Sequence, residues 1–110
     1  MNVEYKINKM KHVSILVPES SVLQAIADPQ YLFSAVNQFL AEAKMQPLFT
    51  VHLVGLTSEI KLNNGMYTVN ASQLIHEVKN TDLIIIPALF GDMQTAINAN
   101  KELLPWIKEQ

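Results

Sequence analysis

The stretch TDLIIIPALFGDM, residues 81–93, decides the fold class of this chain. Four apolar residues follow Asp82 and end at Pro87, after which the chain turns to small residues and a carboxylate. So continuous a β-branched run is typical of a strand covered on both faces of a parallel sheet. We therefore predict a central strand here, with residues 87–93 as the loop that leaves its carboxyl end.

Three other segments carry strand patterns. HVSILV, residues 12–17, is a second continuous apolar run that ends at Pro18, and LFTVHLVGL, residues 48–56, is a third. In EIKLNNGMYTVN, residues 59–70, the triplet Asn63-Asn64-Gly65 supplies the positive-φ positions of a tight turn. The sequence thus predicts two more parallel strands and a β-hairpin.

Helices are predicted between these strands. Asp28-Pro29 fits an N-cap followed by proline at the first helical position. Apolar residues then recur at three- and four-residue spacing, which predicts the face that packs on the sheet: Leu32, Ala35, Val36, Phe39, Leu40 and Ala43. Ser72 is the expected cap of a short helix over residues 72–78. The tail after Met93 is predicted to form two short helices separated near Pro105.

The order of elements is β-α-β, a β-hairpin and then α-β-α. This order predicts a three-layer α/β/α fold of the flavodoxin-like class, with a mostly parallel sheet and right-handed crossovers. Such sheets bind ligands beyond the carboxyl ends of their strands. The informative loops are therefore those after residue 17 and after residue 86.

Composition excludes several classes of protein. The 110 residues include 8 basic and 10 acidic side chains, for a net charge of −2, so we do not expect the chain to bind nucleic acid by itself. No apolar run approaches the length of a membrane span. The absence of cysteine excludes thiol nucleophiles and zinc thiolates, and together with the absence of a signal peptide it favours a cytoplasmic location.

A resemblance to a known family rests on three quoted segments: VSILVPESSVLQAIADPQYLFSAVNQFL, FTVHLVG and DLIIIPALFGDMQTAINANKELLPWIKEQ. With the hairpin between them, they resemble the N-terminal domain of AraC-type transcriptional regulators, which belongs to the ThiJ/PfpI, or class I glutamine amidotransferase-like, superfamily. The resemblance implies that residues 1–110 are the N-terminal portion of one such domain, with residues 1–10 as a flexible lead. It also implies that the C-terminal part of the domain and a helix-turn-helix domain that contacts DNA lie outside this chain, as expected of a truncated domain.

The resemblance also implies which positions carry function. Superfamily enzymes hold a glutamate where this chain has Ala25, and their cysteine nucleophile would lie beyond residue 110. Ala88 stands where the family has a glycine that lets backbone N–H groups approach an oxyanion. The expected ligand-binding residues are Glu19, Ser20, Pro87, Ala88 and Leu89, with Glu19 alternatively a solvated loop charge. In that interpretation the backbone of residues 87–89 carries the binding.

Other polar residues have plainer predicted roles. Asp28 and Asp92 are expected to stabilise helix N-termini rather than to act as catalytic acids. His12, His52 and His76 share no spacing with one another or with carboxylates, so no metal site and no cofactor are predicted.

Two functions remain open at this point. The first is a non-catalytic effector-sensing and dimerisation domain of an AraC-type regulator, and the second is part of a ThiJ/PfpI-type amidase, peptidase or glyoxalase-like enzyme. The changes at Ala25 and Ala88 and the absence of cysteine favour the first. Apolar sheet faces left uncovered in a partial domain predict a homo-oligomer, a small-molecule effector is the expected ligand, and no membrane contact is expected.

Overall fold

Parallel strands form the centre of the fold. The computed structural model describes residues 10–110, so the predicted flexible lead lies outside the described residues except for Met10. The elements in chain order are β1 (Lys11–Leu16), α1 (Leu23–Glu42), β2 (Phe49–Gly55), β3 (Glu59–Leu62), β4 (Tyr67–Asn70), β5 (Gln73–Leu74), β6 (Leu83–Ile85), α2 (Met93–Ala99) and α3 (Leu103–Glu109).

Strands β1, β2, β5 and β6 form a parallel four-stranded sheet in the order β5-β2-β1-β6. Strands β3 and β4 form a separate antiparallel hairpin. This arrangement confirms the predicted α/β class with a mostly parallel sheet. It also confirms the strands predicted at residues 12–17 and 48–56 to within one residue at each end.

The prediction that β6 is a central strand is wrong for the described sheet, in which β1 occupies the centre and β6 lies at the end. The apolar run reflects coverage of both faces rather than a strand neighbour on both sides. Ile85 packs against the core beneath α1, and Ile84 packs on the opposite face near Trp106. At the two ends of the run Leu83 and Ile86 remain 45% and 60% exposed.

The two faces of the sheet are covered by different elements. Val13, Ile15 and Val17 pack with Ile26 of α1 and with the inner side chains of the hairpin, which are Ile60, Leu62 and Val69. On the other face Leu16 and Val54 pack with Trp106 of α3. These two clusters give the three layers of the fold.

Helix α1 begins earlier than predicted. It starts at Leu23 after Val22, which caps it without a side-chain hydrogen bond, and Pro29 lies inside it. Asp28 is therefore not an N-cap but an exposed residue of the helix. Ile26 explains the early start, because its burial to 2% exposure contributes about 1.5–3 kcal/mol, comparable with the roughly 3 kcal/mol cost of an interior proline.

The face of α1 that packs on the sheet also differs from the predicted one. Leu32 and Phe39 are 62% and 68% exposed. The inner face instead carries Phe33, whose ring meets that of Phe49 edge-on at 4.8 Å, and Asn37. The Asn37 amide donates to the Phe49 carbonyl (2.7 Å) and accepts from the Leu48 N–H (2.9 Å). Because the inner face includes this polar residue, a prediction based on apolar residues alone selects a different face of the helix.

Residues 72–78 do not form the predicted helix. They form β5 and a single 3-10 turn over Ile75–Glu77. The expected cap residue, Ser72, is engaged by the neighbouring strand instead, because its Oγ accepts a hydrogen bond from the Leu53 N–H at 3.0 Å.

The hairpin and the tail agree with prediction. Asn63, Asn64 and Gly65 have φ values of 52°, 55° and 84°, which are the positive values that the turn requires. The tail forms α2 and α3, and Pro105 lies in the first turn of α3, where its missing N–H is tolerated.

Candidate functional site

The loops that follow β1 and β6 are joined by backbone pairing. The Val22 N–H donates to the Ala88 carbonyl at 2.9 Å, and the Phe90 N–H donates to the Ser20 carbonyl at 2.7 Å. These bonds form an isolated antiparallel bridge between Ser21 and Leu89. The two loops singled out from the sequence therefore lie side by side at the carboxyl edge of the sheet.

Asn100, at the end of α2, fixes the first of these loops. Its side-chain oxygen accepts from the Glu19 N–H at 2.7 Å, and its side-chain nitrogen donates to the Glu19 carbonyl at 2.9 Å and to the Ala96 carbonyl at 2.7 Å. The Ser21 hydroxyl donates to the Pro18 carbonyl. Held in this way, Ser20 has a φ of 70°, an unusual value for a residue other than glycine.

A crevice of about 610 Å³ opens beside the paired loops. Its walls are the first loop with the start of α1, the tip of the hairpin, and the turn into α2. Polar lining residues are Ser20, Ser21, Gln24, Asn63, Asn64, Asp92 and Thr95, and the aromatic ones are Tyr67 and Phe90. We call this space the loop crevice; its volume lies within the roughly 300–1,000 Å³ typical of small-molecule sites.

The polar groups of the loop crevice fall into two sets. Ser21 and the pair Asp92 and Thr95 are already hydrogen-bonded within the protein. The side chains of Ser20, Gln24, Asn63, Asn64 and Tyr67 make no hydrogen bond with the described part of the chain. This second set presents donors and acceptors that a bound molecule can use.

Among the described residues that line the loop crevice, Asp92 has the only charged side chain. It caps α2, and its Oδ2 accepts from the Thr95 hydroxyl at 2.6 Å and from the Thr95 N–H at 2.9 Å. These two hydrogen bonds lower the pKa of Asp92 below its ordinary value, so the carboxylate remains charged at neutral pH. Gly91, with a φ of 101°, allows the sharp turn that precedes this cap.

The five sequence-predicted site residues are close in the fold but do not face one space. Ser20 lines the loop crevice, whereas the Glu19 side chain is exposed and outside its lining. Pro87 is buried, and the Ala88 carbonyl accepts a hydrogen bond from the Val22 N–H. Leu89 lines a separate groove of about 140 Å³ on the α2–α3 side of the sheet, which we call the edge groove.

Several residues of the site could not be found from the sequence. The sequence predicts a hairpin that contains Asn63, Asn64 and Tyr67, but their pattern does not show that the tip of the hairpin reaches the loops of a different sheet. The predicted start of α1 at Pro29 leaves Gln24 in a loop, whereas the helix begins at Leu23. The sequence around Asn100 indicates only that the residue lies near the end of a helix, and no motif there indicates its contact with the loop at Glu19.

Residues 10–110 contain neither a cluster of metal ligands nor a helix that could span a membrane. Among them, no three His, Cys, Asp or Glu side chains are grouped so that they could hold a metal ion. Within the same range, no helix combines the length and hydropathy needed to cross a bilayer.

Comparison with known proteins gives a likeness in fold. No protein-family model matches the chain, and no curated protein is significantly similar to it. A solved structure of a candidate transcriptional regulator from Vibrio parahaemolyticus has a TM-score of 0.72 and 20% sequence identity, over 92% of this chain and 51% of that one. The structure of the protein named VC2308 has a TM-score of 0.53 and 19% identity, over 91% and 46%.

The chain therefore spans about half the length of each of these two proteins. At such identities the likeness shows a shared fold, and the function has to be argued from the site itself.

Proposed function

We propose that this chain is a non-catalytic effector-sensing and dimerisation domain of a transcriptional regulator of the AraC type, with the fold of the ThiJ/PfpI superfamily. The observation that carries the proposal is the loop crevice. It lies at the carboxyl edge of a parallel sheet and presents polar side chains that make no hydrogen bond with residues 10–110. The description of the Vibrio protein as a candidate transcriptional regulator supports it. Such a domain acts in the cytoplasm and contacts DNA only through another domain.

Ala25 and the hydrogen bonds of the paired loops favour a binding role over a catalytic one. The chain has no cysteine, and Ala25 cannot supply the acid that the superfamily enzymes use. The N–H groups of Val22 and Phe90 at the loop pair donate to carbonyls of the protein, so neither is available to an oxyanion. The enzyme alternative, an amidase, peptidase or glyoxalase-like activity, would need its reactive groups from elsewhere.

Thermal unfolding with a library of small molecules tests the binding role. A true effector should raise Tm in a saturable manner, because ligand that binds only the folded state stabilises it. Hydrolase and glyoxalase assays run in parallel test the alternative. Turnover that falls in a Glu19→Gln variant would overturn the non-catalytic proposal, whereas ligand binding without turnover supports it.

The coding sequence downstream separates the same alternatives. A continuing frame that encodes a helix-turn-helix domain supports the regulator. A frame that encodes a glycine-flanked cysteine turn and no DNA-binding domain supports the enzyme.

Self-association is the second part of the proposal. The surface that fits it is the edge of β6 that pairs with no other strand in the described part of the chain. Large apolar side chains that are about half exposed or more lie on or after this strand: Leu83, Ile86, Phe90, Met93, Ile97 and Leu104. Three of them, Ile86, Ile97 and Leu104, line the edge groove.

A partner copy that covers all six side chains would bury the area of a small dimer interface. At roughly 100 Å² for each such side chain, covering the edge buries on the order of 600 Å² per copy, which reaches the lower end of stable interfaces. A second copy related by a two-fold axis would add antiparallel backbone pairing between the two β6 strands.

Sedimentation velocity at tens of micromolar tests the dimer. Ile86→Glu should produce a monomer, because it places a charge in the interface. Leu32→Glu is the matched control, since Leu32 is 62% exposed and Ile86 60%, but Leu32 lies on α1. A monomeric wild type, or a dimer that only Leu32→Glu disrupts, would refute this interface.

A further inference from the structure

An asparagine followed directly by a glycine lies at the tip of the hairpin. Asn64-Gly65 is the only such pair among the 110 residues of the sequence. Both residues are exposed, and Asn64 lines the loop crevice. In such a pair the backbone nitrogen of the glycine can attack the side-chain amide of the asparagine, because glycine has no Cβ to shield its nitrogen. The pair is therefore a candidate site of chemical modification.

The surroundings of this pair leave the reaction unobstructed. Gly65 has a φ of 84°, and a Cβ placed on it would meet no atom beyond its chain neighbours within 4 Å. The Asn64 amide makes no hydrogen bond with residues 10–110 that would restrain it. Asn63 lies in the same turn, is also exposed and has a similar φ of 52°, but the residue after it is an asparagine. The turn thus holds a reactive asparagine and a matched reference side by side.

Backbone hydrogen bonds across the turn oppose the reaction. The Gly65 N–H donates to the Leu62 carbonyl at 3.1 Å, and the Met66 N–H donates to the Asn63 carbonyl at 3.1 Å. The Gly65 nitrogen must leave its acceptor before it can attack, so the reaction requires local opening of the turn. Local opening of an exposed turn costs much less free energy than global unfolding. We therefore expect the reaction to occur in the folded protein, at a rate that depends on how often the tip opens.

We propose that Asn64 is a site of spontaneous deamidation that replaces a neutral amide of the loop crevice with a carboxylate. The Gly65 nitrogen loses its proton and forms a bond to Cγ of Asn64, while the Cγ–Nδ2 bond breaks and ammonia leaves with that proton. The five-membered succinimide that results is then opened by water. Hydrolysis of the new N–Cγ bond gives aspartate, and hydrolysis of the original peptide bond gives isoaspartate. Water is the only co-reactant, and ammonia is the only by-product.

Both products change the loop crevice. Each adds a second carboxylate to a lining in which Asp92 has the only charged side chain among the described residues. Isoaspartate also inserts the side-chain methylene into the backbone of the turn that sets Leu62 opposite Tyr67, and Tyr67 lines the same crevice. Deamidation therefore alters the charge of the crevice and the position of one of its walls. This change does not depend on the proposed effector-sensing function.

Incubation of the purified intact chain at physiological temperature for several weeks tests the proposal. Trypsin then releases residues 62–79, a fragment that contains Asn63, Asn64 and Asn70. Mass spectrometry with electron-transfer fragmentation assigns the change from amide to carboxyl to one asparagine and distinguishes aspartate from isoaspartate. We expect deamidation at Asn64 to be at least about tenfold faster than at Asn63, because a Cβ follows Asn63 and none follows Asn64. The rate should be higher at mildly alkaline than at mildly acidic pH, because the attacking nitrogen must lose its proton.

Two variants test the role of the glycine. Gly65→Asn gives Asn64 the same following residue as Asn63, and asparagine tolerates a positive φ better than most residues. This variant should lower the rate at Asn64 to that at Asn63. Asn70→Gln is the control, because it changes another exposed asparagine of the hairpin, and it should leave the rate at Asn64 unchanged. Far-ultraviolet circular dichroism confirms that each variant is folded.

The wild-type protein alone can overturn the proposal, whatever the variants do. Equal rates at Asn63 and Asn64, or an unmodified Asn64 at alkaline pH, would refute the assignment of the site. Aspartate without isoaspartate at residue 64 would refute the succinimide route. Failure of the thermal library to yield an effector leaves deamidation untouched, so the two proposals fail separately.

Discussion

Replacing Asn100 with alanine tests whether the loop beside the crevice is fixed by one side chain. The amide makes three hydrogen bonds, two to the backbone of Glu19 and one to the Ala96 carbonyl, at 2.7–2.9 Å. Asn100 is 8% exposed, so water cannot fully replace the lost partners. At about 0.5–1.5 kcal/mol for each bond, Asn100→Ala should lower the free energy of unfolding by about 2–4 kcal/mol.

Urea unfolding monitored by the fluorescence of Trp106, the single tryptophan, measures this loss. Asn98→Ala is the control, because Asn98 is exposed on the same helix and only accepts one side-chain bond from Gln94 at 3.3 Å. The control should change stability by less than about 0.5 kcal/mol. Equal losses in the two variants would show that Asn100 does not hold the loop as described.

Three further substitutions test local features. Pro29→Ala should raise the free energy of unfolding in urea by about 1–2 kcal/mol, because it restores a backbone donor inside α1. Pro105→Ala is the control, and it should have an effect below about 0.5 kcal/mol because Pro105 lies in the first turn of α3. Equal effects would contradict the placement of Pro29 inside α1. Ser20→Gly should be neutral or stabilise by up to about 1 kcal/mol, because it relieves a φ of 70°, and a clear loss in the same urea assay would refute that strain. The hydrogen bonds to Asp92 lower its pKa in the folded state, so the stability that it contributes is present above the ordinary value of 3.8 and is lost as pH falls below it. Urea midpoints measured as a function of pH should show this loss, with a shallower slope in Asp92→Asn. A wild-type slope in Asp92→Asn would exclude the role of this carboxylate.

The strands were predictable because their signals are local. The apolar runs at β1, β2 and β6 and the positive-φ triplet at Asn63 specify strands and a turn whatever surrounds them. Such a signal does not tell how many strands flank a given one, because hydrophobic faces report the layers above and below a sheet and not its lateral neighbours. For this reason the apolar run of β6 predicts a central strand, although the strand lies at the end of the described sheet.

The start of helix α1 is determined by packing in the core rather than by the local capping pattern. Asp28-Pro29 has the composition of a helix start, but Ile26 and Leu23 lie before it and pack against the core. Burial of these two side chains offsets a proline inside the helix. On the inner face, Asn37 satisfies the backbone at the start of β2, a role that an apolar pattern cannot reveal because the residue is polar.

The candidate site was predictable in position but not in composition. The rule that ligands bind beyond the carboxyl ends of parallel strands selected the loops around Ser20 and Ala88, and the two are joined. The hairpin tip, however, reaches the crevice from a separate sheet. The hairpin and the parallel sheet share no sheet hydrogen bonds. A contact between two such elements produces no periodic pattern of apolar residues, so the sequence does not reveal it.

The joining of the loops changes which atoms are available for binding. Residues 87–89 were expected to offer backbone groups, yet the Ala88 carbonyl is used to hold the first loop, and so is the N–H of Phe90. The pairing stabilises the edge of the crevice and makes these two backbone groups unavailable to a ligand. The side chains that make no hydrogen bond with the described residues offer further groups for recognition, and they belong to the first loop, α1 and the hairpin. A chain built in this way gains a fixed crevice whose selectivity can vary through Gln24, Asn64 and Tyr67 without disturbing the strands that support it.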